Sequence, residues 1–167
     1  MTKVIFYQSY ISVSYVSLKT CIHCFYQLMK GDHKVIKAEY FYATVVDKPG
    51  EAYRVLSQLV KIGVNLLAFN AAPAGPMQTL LSIFPDSSSQ MTRKAKKVGL
   101  ELSGPYPAFL VQGDDELGAW ADIHSVLYKA KINVSASNGV ADGKGSYGFV
   151  IYVRPDDFER AAKILGV

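Results

Sequence analysis

Apolar residues fall at helical spacing in two stretches of the chain. Val55, Leu56, Leu59, Val60 and Ile62 form one; Ile123, Val126, Leu127 and Ala130 form the other. Spacings of three and four put such residues on one face of a helix. Each stretch follows an apolar run and precedes a second run that opens aliphatic-Asn, Val64-Asn65 and Ile132-Asn133. The stretches align at an offset of 68 residues (115 − 47), which lays Asp47 on Asp115, Gly50 on Gly118 and Asn65 on Asn133. A third run follows in each, Met77 to Phe84 and Ser146 to Val153. Pro85-Asp86 and Pro155-Asp156 then mark helix entrances, where Pro fits the first turn and Asp or Ser can cap.

The order predicted for each copy is βαββα, and the first copy adds a strand near Leu100–Ser103. This is an α+β chain of two ferredoxin-like βαββαβ units in tandem, with antiparallel sheets and helices on one face. The second copy ends at Val167 and lacks its last strand. Asp142-Gly143 and the Pro73–Pro76 stretch signal the hairpin turns between second and third strands. The units divide as 37–104 and 105–167, behind an extension of residues 1–36. Two readings of that extension stand. Translation starts too far upstream and the protein proper opens at Met29, or a strand from this region fills the open edge of the second copy.

The third run of copy two is apolar on both faces, with Tyr147, Phe149 and Ile151 on one and Val150 and Tyr152 on the other. Helices cover one face only, so the other needs a partner sheet or subunit; a homodimer is expected, with intrachain pairing of the two copies as the alternative.

Net charge is +4, which favours nucleic acid at first sight. Residues 105–167, however, hold six basic groups against eight acidic ones. Phosphate neutralisation supplies most nucleic-acid affinity, so an acidic half is a poor place for it. Hydrophobic residues make up 50% of the chain, enough to bury a core, and no apolar run approaches the ~18 residues of a membrane span. A cytoplasmic protein is expected. Cys21 and Cys24 flank His23 without a second Cys pair, so no metal site is expected.

Lys144 to Tyr152, KGSYGFVIY, resembles the signature strand of RNA-recognition motifs, in which Tyr147 and Phe149 would stack on bases. RNA binding through these rings is the alternative function. Ser146 adds one residue to that family's spacing, and copy one has no aromatic pair there. Val111-Gln112-Gly113 resembles the acylphosphatase loop, but no Arg lies between Gly113 and Lys129 to serve it. No nucleophile, base and acid converge elsewhere, and no enzyme activity or cofactor is expected.

DKPGEAYRVLSQLVKIGVNLLAF resembles the ACT domain, a regulatory amino-acid-binding module. Its strand, acidic-x-Pro-Gly loop and helix ending Gly-Val-Asn are matched by Asp47, Pro49, Gly50, Gly63, Val64 and Asn65. Copy two keeps Asp115, Gly118, Ile132 and Asn133 but carries Leu117 and Lys131 where Pro49 and Gly63 stood. The resemblance implies a stand-alone sensor of a free amino acid, with an unidentified regulated target. Its implied ligand residues are Asp47, Pro49, Gly50, Glu51 and Asn65, with Asp115, Gly118 and Asn133 in the second copy. First-turn N–H groups would take the carboxylate, and Asp47 or Asn65 the ammonium.

Overall fold

The computed structural model describes residues 33–167. The readings made for Cys21, Cys24, Met29 and most of the front extension lie outside the described residues.

The helical and strand periods produce ten elements. They are β1 (His33–Val46), α1 (Glu51–Lys61), β2 (Leu66–Pro73), β3 (Gln78–Pro85), α2 (Ser88–Lys97), β4 (Ser103–Asp114), α3 (Ala119–Lys129), β5 (Val134–Ala141), β6 (Ser146–Val153) and α4 (Phe158–Leu165), the last entered through a 3-10 turn at Pro155–Asp157. One six-stranded sheet runs in the order β2-β3-β1-β4-β6-β5, and every adjacent pair is antiparallel.

The two copies are ferredoxin-like units that share their central strands. In the first, β1 pairs with β3 from Phe41↔Ile83 to Val46↔Gln78; in the second, β4 pairs with β6 from Phe109↔Ile151 to Asp114↔Ser146. The same offset relates the two registers residue for residue. The strand expected near Leu100–Ser103 begins at Ser103 and runs on without a break into the first strand of copy two. Leu100 and Leu102 instead pack on the first core. A bulge falls at Gly104–Pro105, between the pairs Tyr40↔Tyr106 and Tyr42↔Ser103. The strand that copy two lacks at its C-terminus is supplied by the first half of β1, where His33 to Tyr40 pairs with Gly113 to Tyr106. In that ladder Glu39 lies opposite Pro107, its own equivalent in the other copy, so a local two-fold axis passes between them.

All four helices cover one face of the sheet. Phe41, Ala43, Leu81 and Ile83 pack under Val55, Leu59, Met91 and Ala95 in one core. Phe109, Val111, Phe149 and Ile151 pack under Ile123, Leu127, Ala161 and Leu165 in the other. The strand alternation gives this directly, because successive side chains take opposite faces.

The centre of the face away from the helices is covered from within the chain. Tyr40 stacks on Phe84 at 5.1 Å between ring centres and meets Tyr152 edge-on at 5.1 Å. Phe84 and Tyr152 are equivalent positions, and both are buried with Ala108. The second apolar face of β6 thus finds its cover for Tyr152 in the same chain. Asp142 acts as the turn signal implied: its carboxylate accepts from the N–H groups of Lys144 at 2.7 Å and Ser146 at 2.9 Å. These bonds, the one from Ser146 foremost, hold the carboxyl below its ordinary range.

Candidate functional site

The two strand–helix loops are built alike. Gly50 caps α1 with φ 93° and ψ −14°, and Gly118 caps α3 with φ 97° and ψ −7°. Only a residue without Cβ adopts that left-handed turn cheaply, which explains a glycine at both places. Asp47 N–H donates to the Met77 carbonyl at 2.9 Å, and Asp115 N–H donates to the Gly145 carbonyl at 2.8 Å. Each loop is thereby tied to the neighbouring hairpin.

No side chain caps either helix. Asp47 turns away from the helix, and its Oδ1 accepts from the Thr79 hydroxyl at 3.3 Å. Glu51 N–H and Ala119 N–H donate back to the Lys48 and Glu116 carbonyls at 3.5 and 3.1 Å, and the other N–H groups of each first turn keep their capacity for an anion. The loops differ in charge. Glu51 is held by Arg54 at 2.9 Å and Lys48 at 3.8 Å. The second loop carries Asp114, Asp115 and Glu116, with Asp122 in the first turn of α3.

Asp47, Pro49, Gly50 and Glu51 come together in the first loop, and Asp115 and Gly118 in the second. Asn65 and Asn133 do not join the loops of their own copies. Each lies past the far end of its helix, and α1, with 11 residues, separates Gly50 from Asn65 by about 16 Å. Asn65 offers its backbone carbonyl to Asp86 N–H at 3.0 Å and leaves its side chain exposed. Because β1 and β4 run antiparallel, the two loops also lie at opposite ends of the sheet.

The RNA platform is overturned. Tyr147 is 3% exposed and Phe149 5%, and both face the helices. Trp120 of α3 stacks on Phe149 at 5.5 Å and 6°. The alternation of β6 turns these rings inward, so no base can reach them.

His33 was not among the expected ligand residues. Its Nδ1 is 2.8 Å from the Tyr147 hydroxyl, in a hollow of about 620 Å³ shared with Lys34 and Asp114 beside the second loop. Burial, and then the Asp114 charge, push the Tyr147 phenol up. Nothing local in the sequence shows this cluster, since it depends on β1 pairing with β4. Among the described residues no group of three or more His, Cys, Asp or Glu could hold a metal, and no helix is long and apolar enough to cross a membrane.

No protein-family model matches the sequence, and no curated protein matches it. Solved structures do match. A protein from Bacteroides thetaiotaomicron superposes with a TM-score of 0.67 at 16% identity, over 79% of this chain and 88% of that one. The regulatory subunit of aspartate kinase from Thermus thermophilus gives 0.55 at 14% identity, over 83% and 97%. Aspartokinase alpha and beta subunits give 0.53 at 17%, over 80% and 93%. The chain has the tandem ACT fold. The two glycine-capped loops are where the sequence resemblance placed the ACT motif, and the ACT units interlock through β1 and β4.

Proposed function

We propose that this protein is a regulatory module that binds a free amino acid at the β1–α1 loop and passes its occupancy to another protein. One observation carries the reading: α1 begins at a left-handed glycine with no side-chain cap, and α3 repeats that arrangement. The fold is shared with aspartate kinase regulatory subunits, which supports a regulatory role over catalysis. The loop N–H groups take the carboxylate, and Asp47 takes the ammonium. The first loop is the stronger site, because Lys48 and Arg54 offset Glu51 whereas the second loop is acidic throughout.

The units act as 37–104 and 105–167, and the protein works in the cytoplasm as a homodimer. Val60 and Tyr128 occupy equivalent positions on α1 and α3 and are 76% and 80% exposed, an apolar pair suited to a helix-layer interface. A second copy also offers a way for Asn65 or Asn133 to complete a loop at the other end of a helix.

Calorimetry with the twenty amino acids tests the site. Gly50→Ala or Asp47→Ala weakens the best ligand by about 1–3 kcal/mol, up to ~100-fold, while Gly118→Ala and Asp115→Ala cost less, and Asn65→Ala matters only if a second copy completes the loop. Unchanged affinity in folded Gly50 and Asp47 variants removes this site. A single-chain mass by light scattering removes the dimer.

A further inference from the structure

The sheet curls so that its two edge strands, β2 and β5, line one cleft of about 400 Å³ on the face away from the helices. That volume is in the range of small-molecule sites. Leu67, Phe84, Leu110 and Val150 give it apolar walls, and Asn70, Gln112 and Asn138 give it carboxamides. No Asp, Glu, Lys, Arg or His lines it. Asn70 and Asn138 are equivalent residues of the two copies, brought to one cavity by the internal two-fold.

Two further observations point to an occupant. Tyr152, on the same face of β6 beside the cleft but not among its lining residues, is 7% exposed, and its hydroxyl closes no hydrogen bond among the described residues. Ser82 and the cleft residue Asn138 come near enough only to offset part of the rise that burial gives its pKa. The second is Gly148, in the middle of β6. Its pairs Gln112 and Val140 stand in unbroken register, its backbone is not left-handed, and a Cβ there would meet nothing within 4 Å. A strand-interior glycine weakens the strand, and it marks a bulge, a bend or the close approach of another molecule. The unbroken register excludes a bulge here, and the open space above Gly148 leaves room for a close approach. The equivalent residue in copy one is Leu80, so Gly148 breaks the repeat and opens the floor of the cleft.

We infer that this cleft binds an uncharged, planar heteroaromatic molecule with lactam- or amidine-type edges, of the kind a nucleobase presents. The flat face lies on the open backbone at Gly148 between apolar walls. The edges pair with carboxamides, each of which offers both donor and acceptor. A zwitterionic amino acid does not fit, because burying its two charges in a charge-free cavity is costly. The cleft is therefore independent of the loop site.

The test is titration of the whole chain with adenine, hypoxanthine and uracil, followed by calorimetry and by fluorescence of Trp120, the single tryptophan, which stacks on Phe149, the strand neighbour of Gly148 on the helix side. At least one base is expected to bind. Gly148→Leu, which restores the residue of the other copy, should weaken it tenfold or more, and so should the double variant Gln112→Leu, Asn138→Leu, which leaves β6 intact. Gly50→Ala should leave it unchanged, whatever it does to amino-acid binding. Absence of binding by all three bases at millimolar concentration overturns the inference. So does undiminished affinity in the folded Gly148→Leu and double variants, or a change of oligomeric mass in Gly148→Leu.

Discussion

Lys131 occupies a left-handed turn, at φ 56°, that its equivalent Gly63 occupies at φ 62°. Both end a helix in the same way: Gly63 N–H donates to the Val60 carbonyl and Lys131 N–H to the Tyr128 carbonyl, each at 2.9 Å. Their carbonyls are also served alike, by Lys94 at 2.8 Å and Arg160 at 3.1 Å. The loss of glycine at 131 reads in the sequence as divergence, but the backbone kept its turn and the lysine bears the strain. Lys131→Gly should therefore stabilise the protein by about 0.5–1 kcal/mol, read as a higher urea midpoint at unchanged slope. A lower midpoint would contradict the strain. At this scale the sequence was informative about the loop glycines, because a left-handed turn leaves a residue-type trace. It was silent on Asp47, whose carboxylate goes to Thr79 of β3 through a contact set by strand pairing.

Among the elements, the helices and third strands were legible because their periods are local. The double role of β1 was legible only in part: the open edge of copy two asked for a strand from the front of the chain, and His33 to Ile36 belong to the one that pairs there. Its fourteen residues show one apolar pattern, and nothing in them says that the first half serves one unit and the second half the other. Gly104 and Pro105 mark the end of copy one in the sequence, yet they form a bulge inside a continuous strand. How far the chain covers its own second sheet face was not legible either, because the packing that buries Tyr40, Phe84 and Tyr152 together depends on pairing between distant strands. Burial pushes the Tyr40 and Tyr152 phenols up, and Tyr42, bonded to the Tyr40 hydroxyl at 3.0 Å, adds to the rise. A phenol with a raised folded pKa keeps its proton where the unfolded chain loses its own. The resulting stability is complete below about pH 10 and is lost as pH rises above that value. Stability measured by urea unfolding should fall between roughly pH 9 and 11, and Tyr40→Phe should flatten that fall. An identical alkaline slope in the variant would dissociate Tyr40 from it.

The whole molecule is two interlocked halves. Cutting the link between α2 and β4 after Leu100 leaves one piece with β1, α1, β2, β3 and α2 and another with the five equivalent elements. Co-expressed, residues 1–100 and 101–167 should assemble one to one and recover the circular dichroism of the intact chain. A folded monomer of either piece, seen by light scattering, would contradict the interlock. The pairing of Glu39 with Pro107 bears on ancestry. A strand that meets its own equivalent across a two-fold axis is what an isologous interface between identical subunits looks like. The pattern fits an origin in which a one-unit protein formed a symmetric pair through its first strand and a gene duplication joined the two subunits end to end. Once fused, the halves were free to diverge, and Gly148 opposite Leu80 in the alignment of the copies is a change that no symmetric pair could have made on one side alone.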